Sequence, residues 1–154
     1  MTQNRIASLP QPAAVFGLAG LIPFFALGVQ VTTGRPLDAS WTPPALQALL
    51  LYGALILSFL GGIQWGLAVA TADRSDAWRR YGLAVLPPLL AWGGVWAGRR
   101  EGLITLAVGL AVWGAYEAWA TGLGEAPRWY GRLRLGLTAV AVAALATAAR
   151  YGTF

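Results

Sequence analysis

Long apolar runs separated by short polar clusters dominate the chain. Five runs stand out, at 13–31, 44–70, 81–97, 102–120 and 133–149. Each approaches the ~20 residues a helix needs to cross a ~30 Å hydrocarbon core. The second is the longest, at about 27 residues or ~40 Å, and is expected to tilt or to extend past the interface. The fifth is the shortest, and Arg132 and Arg134 at its start can snorkel to the headgroups. The pattern predicts an all-α integral membrane bundle: one five-helix transmembrane domain over 13–150, with an N-terminal tail at 1–12 and a C-terminal tail at 151–154. The first run is longer than the roughly 7–15-residue core of a signal peptide and has Pro23 in its middle, so a retained helix is expected.

Local signals mark the helix ends. Thr42-Pro43 reads as an N-cap followed by proline at the first helical position. Asp73 or Ser75 can cap the third helix near Asp76. The short Arg99-Arg100-Glu101 connection predicts that the third and fourth helices pair antiparallel. The stretch TGLGEAPR, 121–128, is the most flexible-looking connection.

Five crossings put the termini on opposite sides. One side carries Arg5, Arg74, Arg79, Arg80, Arg128 and Arg132, with Arg134 just inside the helix; the other carries Arg35, Arg99, Arg100 and Arg150. The side richer in arginine is expected to be cytoplasmic, which places the N-terminus inside and the C-terminus outside. Trp78, Tyr81, Trp119, Trp129 and Tyr130 then form a cytoplasmic aromatic belt, with Trp41 and Trp96 at the opposite interface.

Composition strengthens this reading. The chain is 57% hydrophobic and only 11% charged, against about 25% charged in an average soluble domain. Mean hydropathy is +0.58. There is no His, Cys or Lys. That removes zinc-finger, iron–sulfur and ordinary haem ligation, disulfides, and lysine Schiff bases to retinal or pyridoxal phosphate. No cofactor and no metal are expected. The net charge of +5 is carried entirely by arginine, and together with abundant Ala and Gly this suggests a GC-rich bacterial genome and a bacterial inner membrane. The arginines lie between apolar runs, so they set orientation rather than bind nucleic acid.

Within the second run, Ala54, Ser58, Gly62, Gly66 and Ala70 recur every four residues as a small-xxx-small stripe, with Gly61 beside it. Such a stripe lets another backbone approach closely, either for helix packing or to form a ligand groove. Gln64 is costly in lipid and should point into the bundle. Pro87 and Pro88 leave the Leu83 and Ala84 carbonyls without their usual donors, and the Gln64 amide or a water is expected to satisfy one of them. Glu117 is the only acidic residue well inside an apolar run, ~22 Å along its helix. It is read as an interfacial ion pair with Arg79, Arg80, Arg128 or Arg132. The alternative is a titrating or ligand-orienting carboxylate in a pocket shared with Trp113 and Tyr116. Arg79, Arg80, Arg128, Arg132 and Arg134 are suited to headgroup phosphates or simply to orientation. No catalytic constellation is present in the sequence pattern.

The stretches YGALILSFLGGIQWGLA (52–68), YGLAVLPPLLAW (81–92) and APRWYGRLRLGLTAV (126–140) resemble the transmembrane protein 69 family, also catalogued as domain of unknown function 3429. The resemblance covers roughly 13–150 and rests on Ser58, Gly61, Gly62, Trp65, Gly66, Pro87, Trp92, Trp129, Tyr130, Arg132 and Arg134. It implies a small multi-pass helical bundle in an inner membrane and supplies no reaction. The first functional expectation is a non-enzymatic accessory or assembly component that packs against other membrane proteins or itself. The alternative is an intramembrane site for a lipid or quinone lined by Gln64, Trp65, Tyr116 and Glu117. A proton-coupled carrier or channel is the third.

Overall fold

The computed structural model describes residues 9–35, 45–70, 76–124 and 126–152, and these contain helices and short connections only. The helices are α1 (Gln11–Ala19), α2 (Ile22–Thr33), α3 (Ala45–Val69), α4 (Ala77–Trp96), α5 (Arg99–Gly122) and α6 (Arg128–Tyr151). α1 and α2 together make one span, Gln11–Thr33, so the bundle has five helical segments among the described residues. That span, α3, α5 and α6 are each long and apolar enough to cross a membrane. α4 is ~30 Å long; its first turn holds Arg79 and Arg80, and it carries no charge from Tyr81 to Trp96. It returns the chain between α3 and α5. The Thr42-Pro43, Asp73, Ser75 and Trp41 expectations lie outside the described residues.

Cross-helix contacts set the directions. Gly53 meets Leu106 and Gly109 meets Leu57, so α3 and α5 run parallel. Gly114 meets Thr138 and Gly131 meets Thr121, so α5 and α6 are antiparallel. Gly17 meets Leu137 and Gly28 meets Ala144, so the first span runs parallel to α6. The start of α1, the end of α3, the start of α4, the end of α5 and the start of α6 therefore share one end of the bundle. α5 is the most enclosed helix: half of its most apolar stretch is buried, against 22% for the first span. Phe24, Leu57, Leu103, Leu106, Leu110 and Leu145 fill the centre, while Phe16, Phe25, Leu55, Phe59 and Val112 point outward. Large apolar side chains on the outer surface suit a lipid solvent.

The first span is not the single helix that its apolar run predicts. It breaks at Gly20–Leu21, because Pro23 has no N–H to continue the ladder and its ring crowds the preceding turn. The Tyr52 hydroxyl on α3 donates to the Gly20 carbonyl at 2.7 Å. The Tyr52 ring also packs edge-on against Phe24 at 5.0 Å. A polar side chain thus satisfies backbone at a proline break, but the pair is Tyr52 and Gly20, not Gln64 and the α4 carbonyls. Gln64 is half-buried and makes no side-chain hydrogen bond among the described residues.

At Pro87-Pro88 the neighbour is Gly61. A methyl added at Gly61 would sit 2.5 Å from the Ala84 carbonyl oxygen and 2.7 Å from the Pro88 ring. Only a hydrogen fits there, and it lies against one of the two carbonyls that the prolines deprive of a donor. Such Cα–H···O contacts are weak but recur where helices cross closely. A methyl at Gly102 would likewise meet the Gly94 carbonyl oxygen at 2.5 Å. These two glycines hold α4 between α3 and α5.

The four-residue stripe divides. Ala54 is buried, Ser58 is half-buried, and Gly62, Gly66 and Ala70 are exposed. A methyl at Gly62 or Gly66 would meet nothing within 4 Å. The reason is geometric: four residues advance ~400°, so a strict i+4 stripe precesses ~40° per step and turns off the buried face. Among the described residues, Ala54 and Gly61 pack helices, whereas Gly62 and Gly66 have open space beside them.

Three substitutions test these contacts. Gly61→Ala is expected to cost ~1–3 kcal/mol of stability, because its obstacle is backbone, whereas Gly62→Ala should be neutral or stabilising by up to ~1 kcal/mol. Tyr52→Phe should cost ~1 kcal/mol by removing one hydrogen bond while keeping the ring. Thermal unfolding in a single lipid or detergent condition reads all three.

Candidate functional site

The Glu117 carboxylate sits near the shared end of α5 and α6. The residue is 1% exposed. Its Oε1 accepts from the Tyr130 hydroxyl at 2.8 Å and its Oε2 from Arg134 Nε at 2.7 Å. Both donors come from α6, four residues apart, which puts them on one face of that helix. The Arg134 side chain is 12% exposed. Both members of the ion pair are therefore withdrawn from the surface.

The surrounding sequence makes room for this contact. Gly114 and Gly131 lie one turn to either side, and a methyl on either would strike Thr138 or Thr121 at 2.7–3.1 Å. The helices can approach closely only because both positions lack a side chain. The Thr121 hydroxyl donates to the Glu117 carbonyl at 2.8 Å, so it is satisfied within its own helix. Trp113 Nε1 and Thr138 Oγ1 are buried with no hydrogen-bond partner among the described residues. Trp113 precedes Glu117 by four residues, and Thr138 follows Arg134 by four.

This geometry corrects the sequence expectations in two places. The partner of Glu117 is Arg134, not Arg79, Arg80, Arg128 or Arg132. Arg134 turns into the interface rather than toward headgroups. Arg79 and Arg80 instead hold Asp76 at the start of α4, each at 3.0 Å. The Arg79 hydrogen bond, with Arg80 beside it, holds the Asp76 carboxyl below the usual carboxylate range. Arg128 and Arg132 are exposed.

The other candidates are spread out. Tyr116 is half-buried, its ring 5.2 Å from Trp113 and 6.0 Å from Trp119. Trp65 is 48% exposed and packs edge-on against Tyr81 at 4.8 Å. No hydrogen bond or ring contact joins Gln64 or Trp65 to Glu117 among the described residues. No group of three His, Cys, Asp or Glu able to hold a metal occurs among the described residues.

A helical bundle with four spans long and apolar enough to cross a membrane, and with a neutralised charge pair inside it, defines a multi-pass membrane protein. Residues 9–150 match the family described as protein of unknown function (DUF3429), and the chain belongs to that family. It is 34% identical over 145 residues to transmembrane protein 69 of Xenopus tropicalis, covering 92% of this chain and 55% of that protein. It is 31% identical over 143 residues to transmembrane protein 69 of Mus musculus, covering 91% of this chain and 56% of that protein. The chain thus spans about half the length of these relatives. No solved structure matches.

Tyr130→Phe keeps the ring and removes one donor to a charged acceptor. It should cost about 1.5–3 kcal/mol, the range for hydrogen bonds to charged groups, with the helix content unchanged. Circular dichroism melts of the two proteins check this.

Proposed function

We propose that the chain is a non-enzymatic membrane component that packs against a transmembrane helix of another membrane protein. One observation carries this reading: both oxygens of Glu117, the one deeply buried carboxylate among the described residues, are already taken by donors of the chain itself. A carrier or an acid–base site needs a carboxylate that can meet a proton path or a substrate. Here the charge joins two helices. Among the described residues the connections between passes are short, so a partner would be engaged mainly within the membrane.

The place to test is the outer face of α3. Gly62 and Gly66 are exposed and open, and a neighbouring helix can approach such positions closely. The location we propose is a bacterial inner membrane. The end of the bundle that carries Arg79, Arg80, Arg128 and Arg132 would face the cytoplasm. Because both positions are exposed and an added Cβ at either meets nothing within 4 Å among the described residues, the double variant Gly62→Leu/Gly66→Leu should keep the monomer's melting temperature. It should also abolish in-membrane crosslinking to the partner. Unchanged crosslinking contradicts the reading, and a self-crosslinked product in the wild type would identify a second copy as the partner.

A second reading rests on Trp113 Nε1 and Thr138 Oγ1, two buried polar groups with no hydrogen-bond partner among the described residues, Thr138 lying against Gly114. Both can donate to a carbonyl oxygen, as carried by a quinone headgroup. A short-chain quinone that quenches tryptophan emission in the wild type and not in Thr138→Val would favour this reading. Equal quenching in both would dismiss it.

A further inference from the structure

At the end of the bundle opposite Glu117, α5 and α6 leave a groove of about 380 Å³ between them. Its walls are Ile104, Ala107 and Ala111 of α5 and Ala146 of α6, among other apolar side chains. One end of it is lined by two arginines, Arg100 at the start of α5 and Arg150 at the end of α6. Ala111 and Ala146 are exposed, so the groove opens sideways from the bundle rather than into its core.

We propose that this groove is a binding site for one anionic phospholipid, with the headgroup phosphate on Arg100 and Arg150 and one acyl chain along α5 and α6. Three observations fit that occupant. From Arg100 to Ala111 the groove runs ~16 Å along α5, close to half of a ~30 Å hydrocarbon core and so the depth of one leaflet. Its lining is apolar except at one end, and that end lies where a helix leaves the hydrocarbon. The two arginines make no ion pair among the described residues: the carboxylate of neighbouring Glu101 turns back toward Gly98, and the Arg150 guanidinium lies over the Tyr151 ring at 5.2 Å. Stacking on the ring leaves the guanidinium edge, which carries its donors, free for phosphate. A second groove between α2 and α6 is lined by Phe25, Val29, Ala143 and the two threonines Thr32 and Thr147, among others, and has no charged group. It offers nothing to select a headgroup.

The test is native mass spectrometry of the full chain released from nanodiscs, with phosphatidylglycerol or phosphatidylcholine of identical acyl chains as the probe. One phosphatidylglycerol should be retained per chain, in preference to phosphatidylcholine. Arg100→Gln/Arg150→Gln should lower its retention roughly tenfold, the loss of two charge-assisted contacts. Ala146→Phe, which fills an exposed wall, should lower the retention of either lipid. Arg35→Gln removes a charge elsewhere at the same end and should change nothing. Equal retention of the two lipids overturns the proposal, as does an Arg35→Gln effect as large as that of the arginine pair. Displacement of phosphatidylglycerol by millimolar inorganic phosphate, with Ala146→Phe silent, would mean a bare anion site and would also overturn it.

Discussion

A carboxylate placed in hydrocarbon must be neutralised by the protein itself, because no water is there to do it. In this chain Arg134 and Tyr130 do so, and both come from a single neighbouring helix. The cost of burying Glu117 is thereby turned into a constraint on where α6 can sit. Its height along α5 is set by the ion pair, and its distance by Gly114 and Gly131. Lipid tails are as apolar as leucine, so helices in a membrane gain little from hydrophobic exclusion, and close packing and polar contacts must hold them together. The α5–α6 pair uses both. Once it is fixed, α3 and α4 seat against α5 through Gly53, Gly94, Gly102 and Gly109, and the first span closes on α6 through Gly17 and Gly28.

The remaining contacts repeat one solution in different chemistry. At two proline sites a group on a neighbouring helix lies against a backbone carbonyl. At the break in the first span it is the Tyr52 hydroxyl. At Pro87-Pro88 it is the backbone of Gly61, pressed against the Ala84 carbonyl. The membrane requires this, since an uncovered carbonyl has no water to turn to.

The helices were legible because a membrane-spanning run must be about twenty apolar residues long whatever it packs against. The family resemblance was legible in SFLGGIQWG and WYGRLRLGLT. Which face of each helix turns inward was less legible. In lipid both faces are apolar, so hydrophobic periodicity no longer separates inside from outside. That is why the stripe from Ala54 to Ala70 suggested more internal packing than it performs, and why Gly61, just off the stripe, is the glycine in close contact. Glu117 is visible as a lone acid in an apolar run, but the run itself does not say which arginine pairs with it. The readable clue was the spacing of Tyr130 and Arg134, two donors one helical turn apart at the start of the next run. Tyr52, Thr121 and Thr138 carried no comparable signal, since a single hydroxyl in an apolar run looks the same whether it bonds across helices or to its own backbone.

Glu117 and Arg134 act as one unit that holds α6 on α5. A double-mutant cycle with Glu117→Gln, Arg134→Gln and the pair, read as unfolding free energy in one lipid composition, measures that unit directly. Either single change should cost about 3–5 kcal/mol, because it strands the other charge, and the double variant should recover a large part of that loss. Two single changes whose effects simply add would contradict a coupled pair.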